Sequence, residues 1–62
     1  MLIISAQSVR EGDNITIDEG LTWQKVTMKR IVDVGEYKAV LFTTDDCQKI
    51  WLWGTEDVAV RI

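Results

Sequence analysis

Three features of the chain predict an all-β fold, a small antiparallel barrel of about five or six strands. Short runs rich in β-branched and aromatic residues alternate with turn-forming residues, at a spacing of roughly 8 to 12 residues. No segment of useful length has the apolar periodicity of a helix. The chain also lacks proline, which protects sheet edges in other proteins, and closure into a barrel removes such edges instead.

The first half of the chain is predicted to form two short strands and one long one. Leu2 to Ser5 is a short β-rich run, and the turn after it contains Gly12, which can adopt a positive φ. Residues 14–17 alternate polar and apolar side chains, which is the pattern of a strand with one solvent-exposed face. Residues 22–34 then remain β-like, and a bulge near Met28 to Arg30 would let this long strand serve both sides of a barrel.

The second half contains the strongest hairpin signal and a last strand. Residues 37–43 and 48–53 are the two arms of the hairpin, joined by Thr44-Asp-Asp-Cys47. Glycine usually occupies the last loop position, where the backbone turns left-handed. Either Cys47 carries modest strain there, on the order of 1 kcal/mol, or the loop is of another type. Residues 58–62 alternate cleanly and form the last strand.

The length predicts a single domain, residues 1–62, with one dense core. A chain of 62 residues is close to the lower limit for folding without metals or disulfides. Hydrophobic residues make up 47% of the chain, which is adequate for a globular core and too high for disorder. The residues predicted to form the core are Val26, Val32, Val40, Phe42, Ile50, Leu52, Val58 and Val60.

The inventory of reactive side chains argues against an enzyme. The chain has no histidine and a single cysteine, so the common nucleophile and general-base pairs are missing, as are thiolate metal sites. We therefore predict no catalysis, no cofactor and no small-molecule substrate. No run approaches the ~18 apolar residues of a membrane span, and Met1 to Ile4 is far too short for a signal-peptide core. We expect a cytoplasmic protein that does not bind membranes.

The ten acidic residues fall in predicted turns, where their side chains bond local backbone and stay hydrated. The pairs at 45–46 and 56–57 suit a hard cation in principle, but nothing fixes their spacing and turn chemistry is the simpler interpretation. Acidic neighbours also disfavour the thiolate of Cys47. An acidic mimic of nucleic acid is a further hypothesis, for which a net charge of −3 is small.

The stretch CQKIWLWG, residues 47–54, is the most distinctive feature of the chain. On a strand, Trp51 and Trp53 share one face while Ile50 and Leu52 share the other, so both faces are apolar. The tryptophans either cap an end of the core or form an exposed patch with Tyr37 or Trp23. The patch interpretation predicts a non-catalytic module that binds a partner protein, or a second copy, through Trp51, Trp53, Trp23 and Tyr37.

A second hypothesis is a small nucleic-acid-binding or transcription-associated accessory barrel. Lys25 and Lys29 share the parity of one strand, and Lys38 and Lys49 belong to the adjoining hairpin. A basic stripe beside aromatic side chains is typical of barrels that bind single strands. The overall negative charge favours the alternative, a solvated strand face.

Two stretches resemble SH3 and bacterial SH3-like domains, and together they cover about half of the chain. Residues 8–17 have the acidic Gly-Asp turn followed by an alternating strand, Trp23-Gln-Lys-Val26 follows it, and residues 56–62 are similar to the final strand of such barrels. The chain is also similar to short proteins of bacteria and their phages. The resemblance implies an SH3-like barrel. Only Trp23 matches a ligand-contacting position, and the tyrosines and proline of the polyproline groove are missing.

Overall fold

A computed structural model describes all 62 residues, and it contains one sheet of six antiparallel strands, which lie in the order first, sixth, second, third, fourth and fifth by their position in the chain. This confirms the predicted all-β class and a small barrel-like fold. The first and fifth strands each pair on one side only, so the sheet keeps the edges that barrel closure was expected to remove. The elements are β1 (Leu2–Ser5), a single 3₁₀ turn (Ala6–Ser8), β2 (Asn14–Thr16), β3 (Gln24–Val34), β4 (Tyr37–Thr44), β5 (Lys49–Trp53) and β6 (Asp57–Arg61). None of the helical segments could span a membrane.

The long strand β3 connects the two halves of the sheet, as predicted. Its first two residues, Gln24 and Lys25, pair with β2, whereas the segment from Val26 onward pairs with β4. The register shifts between Val26 and Met28, so Thr27 is an extra residue on β3. The predicted bulge therefore exists and begins just before the predicted site. It bends the strand so that both halves of the sheet cover one core.

The core consists of nine buried apolar side chains contributed by β2 to β6 and by the segment around the 3₁₀ turn. Six of the eight predicted core residues are in this cluster, and Leu52 is half-buried and packs against it. The prediction missed three members. The buried residues are Ala6, Val9, Ile15, Val26, Val40, Phe42, Ile50, Val58 and Val60.

Val32 was predicted to lie in the core, and this prediction was wrong. It is half-buried and lies outside the core cluster, opposite Ala39, which in turn is opposite Trp53. The cause is the extra residue Thr27. Side chains alternate along a strand, so one inserted residue moves every later side chain to the other face. Val26 faces the core, and Val32 faces away from it.

Gly12 has the positive φ that its turn allows, and of the two alternatives for Cys47 the structure has the left-handed one. Gly12 has φ of 96° and Cys47 has φ of 65°, which is the left-handed region in both cases. In the β4–β5 loop, the amide of Cys47 donates to the carbonyl of Thr44 and the amide of Thr44 donates to the carbonyl of Gln48. The loop is therefore closed by hydrogen bonds, and the backbone of Cys47 is held in a conformation that glycine would adopt without strain.

Candidate functional site

The sheet formed by β3, β4 and β5 has an outward side that no other element covers. Residues directly opposite each other on paired strands lie on the same side, so the register assigns the members row by row. We call this outward side the aromatic face. Its rows are Val34 and Tyr37; Val32, Ala39 and Trp53; Arg30, Leu41 and Trp51; and Met28, Thr43 and Lys49.

The large side chains of the aromatic face are substantially exposed. The exposed fraction is 58% for Trp51, 49% for Trp53 and 67% for Tyr37. The rings of Tyr37 and Trp53 contact each other edge to face, with centroids 6.1 Å apart and planes at 64°. The structure thus places both β5 tryptophans outside the core, which is filled without them. Large contiguous apolar patches on a small domain mark interaction surfaces.

Trp23, the fourth predicted binding residue, lies elsewhere. It comes just before β3 and is half-buried beneath the guanidinium of Arg61, whose Cζ is 4.8 Å from the ring centroid. Arg61 and Lys25 are both opposite Asn14 in the ladder, so this pair belongs to the other half of the sheet. The structure therefore brings together three of the four predicted residues and leaves Trp23 in a separate cation–π contact.

A groove of about 530 Å³ lies where the aromatic face meets the turns after β3 and β5. Tyr37 and Trp53 form its aromatic wall, and the acidic residues Glu36 and Glu56 also line it. Its floor is Gly54, whose amide donates to the carbonyl of Lys38 at 2.7 Å and whose carbonyl accepts from the amide of Gln7 at 3.0 Å. Three chain segments are therefore fixed at this point.

Gly54 is required by this packing because a Cβ there would lie 3.1 Å from Oε1 of Gln7 and 3.2 Å from the carbonyl oxygen of Lys38. The 3₁₀ turn at Ala6–Ser8, which the sequence did not predict, is held at the same place. The amide of Ala6 donates to the carbonyl of Glu56 at 2.8 Å. Long-range hydrogen bonds stabilise this turn, so no local periodicity indicated it.

The four lysines of the nucleic-acid hypothesis do not form one stripe. The bulge at Thr27 puts Lys29 on the opposite side of β3 from Lys25, and the Lys29 ammonium donates to the carbonyl of Gln7. Lys38 forms an ion pair with Asp33 at 3.2 Å. Lys49 lies on the aromatic face. The predicted common parity of Lys25 and Lys29 was wrong for the same reason as Val32.

Acidic residues in two turns accept hydrogen bonds from nearby groups. Asp18 accepts from the hydroxyl and the amide of Thr22 and from the hydroxyl of Thr16, and these bonds lower the pKa of its carboxyl from 3.8 to about 2. A bond from the hydroxyl of Thr44, with a smaller contribution from Gln24, lowers the pKa of Asp46. No group of three or more potential metal ligands is present.

No family model, curated protein or solved structure matches the chain. The predicted SH3-like family therefore stays a prediction, and any function must be inferred from the chain itself. The aromatic face and its groove are the most distinctive surface that the structure offers. Sequence reasoning found Trp51, Trp53 and Tyr37. It did not assign Leu41 and Met28 to the same patch, although their register follows once the bulge is placed.

Proposed function

We propose that this chain is a non-catalytic protein-interaction module whose aromatic face binds a partner protein or a second copy of the chain. The observation that carries the proposal is the exposure of Trp51, Trp53 and Tyr37 together on one uncovered side of the sheet. Tryptophan and tyrosine are enriched at the centres of protein interfaces, where large rings lose their contact with water. A cytoplasmic location and a bacterial or phage source remain predictions of the sequence.

The position of β5 adds a second means of contact. β5 is the last strand of the sheet and pairs only with β4. The amide of Gly54 donates to the carbonyl of Lys38, and the amide of Thr44 donates to the carbonyl of Gln48. The even-numbered residues of β4 and β5 are therefore the hydrogen-bonded pairs of this hairpin, and the odd-numbered residues are the non-hydrogen-bonded pairs. The backbone groups of Trp51 therefore point toward the free edge. An interface on the aromatic face can continue onto that edge by strand addition.

A photo-crosslinking experiment tests the proposal. Benzoylphenylalanine replaces Trp51 in one variant and Leu21 in the control, because Leu21 is also apolar and exposed but lies in the turn before β3. We expect one discrete adduct, with a partner protein or with a second copy, from position 51 and none from position 21. Equal diffuse labelling from both positions would refute an interface on the aromatic face.

A further inference from the structure

We propose that the groove between Tyr37 and Trp53 binds the guanidinium group of an arginine side chain on the partner protein. The inference rests on the proposed function, because it names the chemistry of the partner that the aromatic face would contact. The groove joins that face at Tyr37 and Trp53, which belong to both. An arginine extending from a partner on the aromatic face would therefore reach the groove without leaving the interface.

The aromatic wall is suited to a planar cation. The two rings meet at 64° with centroids 6.1 Å apart, so they form a corner in which one group can lie against both. The face of an aromatic ring carries negative charge density and attracts a cation placed over it. Guanidinium is flat and weakly hydrated, and it stacks on such rings more readily than an ammonium does.

Charge complementarity favours a cation over a neutral group. Glu36 and Glu56 line the groove, and neither carboxylate is paired with a basic side chain of this chain. Lys38 also lines it, but its ammonium is already held by Asp33 at 3.2 Å. Two acidic residues without an ion-pair partner and one lysine that already has one therefore line the groove. Carboxylates form short, charge-assisted hydrogen bonds with guanidinium, which has donors on two edges.

The groove is also preformed. Its floor is fixed by the hydrogen bonds of Gly54 to Lys38 and to Gln7, and Gly54 itself is buried. A ligand therefore does not have to order the backbone of the site, which reduces the entropic cost of binding. Arg61 over Trp23 shows the same kind of contact within the chain, on a ring that is already covered.

The test is a titration of the isotope-labelled protein with Nα-acetyl-arginine amide, followed through the indole N–H signals in ¹H–¹⁵N spectra. We expect weak saturable binding that shifts the signal of Trp53 and leaves that of Trp23 unchanged. Nα-acetyl-citrulline amide is the matched neutral probe, and its affinity should be about fivefold lower because the cation–π and carboxylate attractions are lost. Equal affinities for the two probes would overturn the proposal.

Variants separate the two parts of the site. The double variant E36Q/E56Q keeps the shape of both exposed side chains, and we expect it to weaken arginine amide binding about threefold while leaving citrulline amide unaffected. Trp53→Ala should abolish the binding, whereas Tyr37→Phe should keep it because the ring is retained. Unchanged binding by E36Q/E56Q and Trp53→Ala would refute the assignment. If arginine amide does not bind but benzoylphenylalanine at position 51 still gives its adduct, the arginine site in the groove is refuted and the interface on the aromatic face is not.

Discussion

Trp51→Ala should weaken association far more than a core substitution that lowers the free energy of unfolding by a similar amount. Trp51 is 58% exposed in the centre of the aromatic face, opposite Leu41. A tryptophan side chain has about 200 Å² to bury, so a partner that covers this ring removes on the order of 115 Å² from water. At about 25 cal/mol per Å², that area is worth about 3 kcal/mol, or roughly a hundredfold in the dissociation constant.

The fold should tolerate the same change. The covered part of the Trp51 ring is smaller than its exposed part and contributes at most about 2 kcal/mol to folding. The matched control is Phe42→Leu, because Phe42 lies on the adjacent strand and is fully buried. We expect this control to lower the free energy of unfolding by about 1 kcal/mol and to leave association unchanged.

Two measurements on each variant decide between interface and core. Denaturant unfolding gives the stability, and sedimentation velocity gives self-association. If the adduct from position 51 contains another protein, titration with that protein replaces the sedimentation measurement. If the Trp51→Ala variant is less stable but associates as strongly as the wild type, the assignment of Trp51 to an interface is refuted. So would loss of association by Phe42→Leu at a concentration where that variant is fully folded.

Three further predictions follow from the turns and the lysines. Cys47→Gly should raise the free energy of unfolding by about 0.5 to 1 kcal/mol, because φ at this position is 65°, and a lower denaturant midpoint would contradict this. Asp18 has its pKa lowered to about 2 in the folded chain, so its stabilising effect is present above pH 3.8 and is lost as pH falls toward 2. Asp18→Asn should therefore reduce the change in unfolding midpoint between pH 5 and pH 2.5, and an unchanged difference would refute that role. Replacing Lys25, Lys29, Lys38 and Lys49 by alanine should not alter oligonucleotide binding at low salt, because these residues do not share a face, whereas a salt-dependent affinity that the substitutions abolish would support the nucleic-acid hypothesis.

Local patterns were enough to predict the strands and the main turns. The alternation of residues 14–17 and 58–62 has the period of a strand, and β2 and β6 form there. Gly12 and Cys47 were each identified from the chemistry of a single turn position, and both have positive φ. These features depend on a few neighbouring residues, which is why the sequence shows them.

The errors have a common origin in tertiary structure. A bulge is visible in the sequence only as a disturbed alternation. Any single extra residue between Val26 and Val32 puts these two side chains on opposite faces, so they could not both belong to the core, whereas the face of Lys29 depends on where the bulge lies. The 3₁₀ turn depends on amides that bond residues distant in the chain, and Val9 is buried beside it. Trp23 was grouped with the other aromatic residues by composition, but its partner is Arg61, which is distant in the sequence.

This chain has more apolar surface than its own core covers, and the excess includes the rings of the aromatic face. Acrylamide quenching of tryptophan fluorescence, followed across a concentration series with the mass from light scattering, tests it most directly. We expect accessible indoles in the isolated chain and protection as a complex forms. Trp51→Phe and Trp53→Phe should each remove part of the quenchable signal. Blue-shifted emission that acrylamide does not quench, from a monomer at high dilution, would contradict it.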